Sequence, residues 1–305
     1  MDNFLLIFLC LGLGFFLRRL KIFPENAHHS LNRFVIYISL PALTLFQMHH
    51  IELHASMIAP IAMAWILFVL GFAFFLVLNH FCHFTKQTKA ALILTASLGN
   101  TSFVGFPLLE AFFGPQAIPY GILIDQPGTF LVAGTLGIAT ASYYSGTSVS
   151  LGFVLNRVFS FPPFLAILAS LLLHSISFPL MLDHVLERLG STLAPVAIFA
   201  VGLQLNFNSK TIQRNAKNLL LGLGFKLFLA PLFFLLLYGF LFHQRGELFA
   251  IEIVEAAMAP MITAGILVAE YGLDEELGSL MIGLGIPLSI ATTFLWSQVL
   301  QHFFP

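Results

Sequence analysis

Charge is scarce in this sequence: Asp, Glu, Lys and Arg make up 9% of 305 residues, against roughly 25% in an ordinary soluble domain. Hydrophobic residues make up 58%, and the mean hydropathy is +0.93, more than a soluble core of this size needs. The alternation of apolar and polar residues that a lipid-facing barrel strand requires is also missing. The continuous apolar runs instead point to helices, which satisfy every backbone group internally. A net charge of −1 with scattered basic residues offers no surface for a nucleic-acid backbone. Cysteine is nearly absent. Cys10 and Cys82 lie in or beside apolar runs, without the spacing of a disulfide framework or a metal site, and read as packing residues.

What is present is a succession of apolar stretches. A helix crossing about 30 Å of hydrocarbon needs roughly 20 apolar residues, so the chain has room for ten spans. They are expected near 2–18, 31–48, 57–79, 90–113, 118–142, 160–182, 189–206, 219–242, 248–270 and 278–302. The first stretch resembles a secretion signal, but Arg18, Arg19 and Lys21 follow it rather than precede it, so it is expected to stay as the first span. Lys and Arg set the orientation. Ten of them (Arg18, Arg19, Lys21, Arg33, Lys86, Lys89, Arg157, Lys210, Arg214 and Lys217) fall at one end of the spans, and only Arg188 and Arg245 at the other. The basic-rich end is expected to be cytoplasmic, with both termini on the opposite side and the protein in the cell inner membrane.

The two halves, 1–145 and 146–305, echo each other. LNRFVIYISLPAL, with Pro41, parallels LERLGSTLAPVAI, with Pro195; NTSFVGFPLLEAFFG, from Asn100, parallels MAPMITAGILVAEYG, from Met258. Five spans per half is an odd number, so the second half is expected to be inverted relative to the first, as in many secondary transporters. Both echoes place helix breakers near the midplane: Asn100, Thr101, Ser102, Gly105 and Pro107 in span four, and Pro260, Thr263 and Gly265 in span nine. Either these are ordinary proline kinks, or unwound backbone there faces protein or water. In the second case two half-helix N-termini would meet as an anion site.

These residues resemble the auxin efflux carrier family, the bacterial relatives of the plant PIN carriers. SLPAL (39–43), LGNTSFVGFPLL (98–109), ILIDQPG (122–128), FPPFLAI (161–167), LAPVAIFAVGLQL (193–205), and EAAMAP with AEYGLDEEL (255–277) carry the likeness along nearly the whole chain. The resemblance implies an all-α polytopic protein: ten transmembrane helices as a 5+5 inverted repeat, with broken fourth and ninth helices that cross. Spans one, two, six and seven would be a scaffold, through which a homodimer could form. The other spans would be a transport domain. The implied substrate site comprises Asn100, Thr101 and Pro107 with Ala259, Pro260 and Thr263, and Pro41 and Pro195 lie on the scaffold face. The chain lacks the long hydrophilic insert of plant members, and its second crossover is less polar than its first. Bacterial members imply small carboxylates such as malonate or malate.

Charges inside the membrane are functional candidates. Asp125 in span five and Glu255 in span nine lie at similar depth and either take up a coupling proton or sodium ion or make structural hydrogen bonds. Lys226 either extends to the cytoplasmic interface or serves as a counter-charge facing the bundle. Glu252 and Glu110 are expected to be solvated, as are His49, His50 and His54, which have no metal spacing. No cofactor is expected. HExxH and G-x-S-x-G motifs are absent, which argues against an intramembrane enzyme; a uniporter, channel or sensor on the same scaffold stays open.

Overall fold

The protein is described by a computed structural model covering residues 2–51, 54, 57–174, 176–205 and 209–303. Its described residues form helices, with no strand beyond one isolated bridge. In chain order these are α1 (Asp2–Arg19), α2 (Ala27–His49), α3 (Ile58–Cys82), α4 (Lys86–Ser97), α5 (Thr101–Phe113), α6 (Pro115–Ser145), α7 (Leu151–Phe159), α8 (Pro162–Leu172), α9 (Leu180–Gln204), α10 (Ala216–Leu241), α11 (Glu247–Ala256), α12 (Ile262–Glu270) and α13 (Glu275–Phe303). A short helix, Ser209–Arg214, precedes α10. Six of them are long and apolar enough to cross a membrane: α2, α3, α6, α9, α10 and α13. The pair α7 and α8, bent by 66°, makes a seventh if counted as one span.

Two expected spans need correction. The apolar run 160–182 is helical only from Pro162 to Leu172, and the next helix starts at Leu180 rather than 189. The cause is Pro179, which caps α9 with extended backbone at ψ 139. Proline at a helix start has no N–H to lose, but it cannot continue the helix before it. The expected end of span seven at 206 lies outside the described residues.

Several helices change pitch just before a proline. Wide π turns at Val35–Ser39, Thr101–Gly105 and Phe225–Leu229 precede Pro41, Pro107 and Pro231. A proline inside a helix leaves the carbonyl four residues earlier without its partner and crowds it with the ring, and a wider turn relieves that contact. At Pro231 the orphan is Leu227 O, which accepts a hydrogen bond from Trp296 Nε1 at 2.9 Å.

Packing divides the helices into two groups. Helix α1 lies along α9, and α8 lies along α2. The first pair meets at Gly14 and Gly202, where a Cβ on either would stand 2.4 Å from a backbone oxygen of the other helix. Small residues allow such close approach in membranes. The larger apolar core joins α3, α4, α10, α11 and α13. A second core, including Leu40 and Ala197, joins α2 and α9 to Phe106 of α5 and Ile122 of α6.

Candidate functional site

The site is built on two interruptions. Helix α4 stops at Ser97, where Leu98 turns extended (φ −105, ψ 120), and α5 starts at Thr101. Helix α11 stops at Ala256, and Met261, extended at φ −67 and ψ 134, leads into α12. The two breaks cross. Met261 N–H donates to Leu98 O at 2.9 Å, Asn100 N–H donates to Ala259 O at 2.7 Å, and Gly99 faces Pro260 in an antiparallel bridge. Pro260 takes the position in this pairing that makes no bond of its own, so its missing N–H costs nothing. Asn100, Ala259 and Pro260, expected from the sequence to belong together, are in contact.

Four helix ends converge here: the starts of α5 and α12, the half-helix N-termini expected from the sequence, are joined by the C-terminal ends of α4 and α11. Lys226 serves the C-terminal pair. It is fully buried, its Nζ donates to Ala256 O at 3.0 Å, and a Cβ built on Gly99 would lie 3.2 Å from that Nζ. The cation thus sits where two helix dipoles end in negative charge. Lys226 faces the bundle, and the interfacial alternative is set aside. Being in the π turn of α10, it points along a direction that its depth in the span does not reveal.

On the other side of the crossing lie the carboxylates. Thr101 Oγ1 donates to Asp125 Oδ1 at 2.6 Å, and Ser102 also interacts with that carboxylate. The Glu255 side chain packs on Gly105, where a Cβ would stand 2.6 Å from Oε1. Asp125 and Lys226 are both within electrostatic reach of Glu255. Asn100, 3% exposed, keeps Nδ2 without a hydrogen-bond partner, and neither oxygen of Glu255 has one. The first turn of α5 therefore presents backbone and side-chain donors beside two buried carboxyl groups.

The remaining expected residues stand apart. Pro107 lines a cavity of about 180 Å³ with Glu110, Leu43 and Ala194, between α2 and α9 on one side and α5 and α6 on the other. Pro41 and Pro195 are half-buried near its scaffold wall, and Ser39 and Thr192, close to them, share a hydrogen bond of 2.7 Å. Thr263 is half-buried in the first turn of α12. A second cavity, about 420 Å³, opens toward the basic-rich end between α1, α2 and α9 and the pair α12 and α13, and Ile262 brings it to the crossing. Arg18 and His28 line it. Of the residues expected at the surface, Glu110 is partly exposed, His50 is exposed, and His49 is half-buried with its ring stacked on Phe178 at 3.8 Å.

Two residues escaped the sequence reading. Glu252 is fully buried with neither carboxylate oxygen partnered, against the expectation that it is solvated. Gln126, also fully buried, donates to Thr44 Oγ1 at 2.5 Å and ties α6 to α2. An amide beside Asp125 in an apolar run was the available signal for it.

A profile of the Membrane transport protein family matches residues 1–297. The chain belongs to this family, the auxin efflux carriers. An uncharacterized transporter of Methanothermobacter thermautotrophicus is 26% identical over 94% of both chains. The uncharacterized transporter YfdV of Escherichia coli is 23% identical over 94% of this chain and 93% of its own. A Rhizobium meliloti protein, provisionally named a malonate transporter, is 28% identical over 63% of this chain and 62% of its own. This auxin efflux carrier family member is therefore a multi-pass membrane protein among transporters, which are not in general enzymes.

Proposed function

We propose that this chain is a secondary-active carrier of a small organic anion of the carboxylate class, working by alternating access. The observation that carries the reading is the antiparallel pairing of two broken helices at Gly99 and Pro260, with the unpartnered Asn100 Nδ2 beside it. Helix starts supply unpaired N–H groups and a positive dipole end, which suit a carboxylate held by Asn100, Thr101, Ser102 and the backbone around Ala259, Pro260 and Thr263. Lys226, capping the opposite helix ends, offsets their negative charge. In many carriers half-helix C-terminal ends coordinate a sodium ion; a lysine in that place favours a proton, carried by Asp125 or Glu255, as the coupling ion.

The architecture supporting this reading is a 5+5 inverted repeat of ten spans. The six long helices, the bent pair, α1 and the two broken pairs supply that number. The packing agrees with it: α1 against α9 is matched by α8 against α2, which is what inversion of one half onto the other requires. Ser39 and Thr192 meet at nearly the spacing that relates Pro41 to Pro195. In this reading α1, α2, α7, α8 and α9 form the scaffold, the rest forms the transport domain, and the cavities of about 180 and 420 Å³ are the alternate access paths. The basic-rich end is cytoplasmic.

The test is a melting screen of purified protein against mono- and dicarboxylates, malonate included, followed by counterflow in proteoliposomes. At least one carboxylate should stabilise the protein and exchange against its gradient, as a carrier does and a channel does not, and Asn100→Ala should abolish both. Stabilisation by none of them, or uptake without counterflow, overturns the reading.

A further inference from the structure

We propose that Glu252 is a proton relay linking a side cavity at the basic-poor end to Glu255, so that protons reach the crossing by a path separate from that of the substrate. The proposal rests on the carrier reading and adds the route of its coupling proton. Glu252 and Glu255 lie three residues apart on α11, hence on one face, with a rise between them of about 4.5 Å. Both are fully buried, and none of their four carboxylate oxygens accepts a hydrogen bond. An ionised carboxylate left so in the interior is strongly disfavoured, so a carboxyl group placed there is suited to receiving a proton and passing it on.

The surroundings give the pair a direction. Glu255 lies within electrostatic reach of Asp125 of α6 and Lys226 of α10, at the crossing. Glu252 lies within electrostatic reach of Tyr238 of α10. Helix α5, also packed on α11, carries Glu110, which lines the cavity of about 180 Å³. The other two long helices packed on α11 bring no ionisable side chain at this depth: α3 has none from Ile58 to Asn79, and α13 none from Leu277 to Gln301. Tyr238 also lines a cavity of about 510 Å³ between the start of α3, the end of α10 and the start of α11, with Ala59, Gln244, Arg245 and Leu248. Leu248 stands one helical turn before Glu252. The Tyr238 hydroxyl donates to Ala59 O over 3.3 Å, a long bond that it can exchange for one to Glu252 while accepting from cavity water. The proton then passes from the Glu252 carboxylic acid to the Glu255 carboxylate, leaving Glu252 as the anion until the cavity reprotonates it. No bond between heavy atoms changes. This cavity shares no lining residue with the two that flank the scaffold.

The test reads protons rather than transport. Infrared spectra of the full-length protein in liposomes, followed after transfer to deuterated buffer, report each protonated carboxyl group through its C=O stretch, with Glu252→Gln and Glu255→Gln assigning the bands. The Glu252 band should exchange first. Exchange of the Glu255 band should slow by about a hundredfold in Glu252→Gln, the scale of a positioned proton-transfer group. Tyr238→Phe should slow both bands, and Glu252→Asp should restore much of the rate, separating a proton function from a packing one. A Glu255 band that exchanges at the wild-type rate in Glu252→Gln overturns the relay, as does the absence of a protonated Glu252 band at every pH where the protein stays folded. Because no substrate is present, this result stands apart from that of the carboxylate screen.

Discussion

Gly105 is the residue at which backbone and chemistry come closest. A methyl group there would meet Glu255 Oε1 at 2.6 Å, so Gly105→Ala should displace the carboxylate at a cost of about 1–3 kcal/mol and lower the melting temperature. Truncating the partner removes the clash: Gly105→Ala with Glu255→Ala should lose less than the two single changes added together. Additive losses would mean that the carboxylate does not rest on Gly105. Lys226 gives a second prediction at this scale. With its ammonium at Ala256 O, melting of the wild type should not depend on sodium, whereas Lys226→Ala, leaving the α11 end uncapped, should melt lower and regain stability with methylammonium. A variant as stable as wild type would remove the capping role. Asp125 was legible in the sequence as an isolated charge in an apolar run, and Glu255 as the deepest charge of its span. Lys226 and Glu252 were not, because distance along a span gives depth but not the face of the helix, and a π turn shifts that face again. Asn100 was legible because a polar triplet at the midplane has few other uses.

Among the elements, the wide turn before Pro231 shows how a helix can hold a proline while its freed carbonyl finds another donor. Pro231 frees Leu227 O, and the Trp296 indole takes its place across the bundle. Trp296→Phe should therefore cost about 1–2 kcal/mol through the stranded carbonyl. In a Pro231→Ala background the same change should cost less, since an alanine at that position has a backbone N–H of its own with which to satisfy the turn. A double-mutant cycle on thermal or denaturant melting measures the coupling, and a value near zero would mean that Leu227 O finds another partner. Helix positions were largely readable from hydropathy, as for α3 and α13. The boundary between α8 and α9 was not, because SFPLM reads as apolar while Pro179 ends the run sterically. The breaks in α4/α5 and α11/α12 were readable as breakers at matching places. That they pair through backbone hydrogen bonds was not, since such contacts depend on the backbone rather than on side-chain identity.

For the whole molecule, the property that matters to the carrier reading is that one cavity comes up to the crossing at Ile262, while another lies beyond Phe106 and Pro107 toward the opposite end. The smaller, about 180 Å³, is closed in by the second core, in which Phe106 packs with Leu40 and Leu193; the larger, about 420 Å³, reaches Ile262 beside the crossing. Under the proposed carrier reading this asymmetry would be a state resting open to the basic-rich end, and an inverted repeat would exchange the two. Movement between such states follows only if the two groups of helices slide as bodies, and α1 locked on α9 through Gly14 and Gly202 gives one of them a rigid seam. In a background with Cys10→Ser and Cys82→Ser, Ala194→Cys and Ile118→Cys stand on opposing walls of the smaller cavity. Bridging them with a bifunctional thiol reagent should hold that side shut and raise the alkylation rate of a thiol introduced at the other cavity by Ile262→Cys, blocked until the bridge has formed by a protecting group removed afterwards. A reductant that cleaves the bridge should return the rate to its starting value. If the bridge forms and the Ile262→Cys thiol reacts as before, the two cavities do not open in turn, because a body fixed on one side of the crossing must alter access from the other.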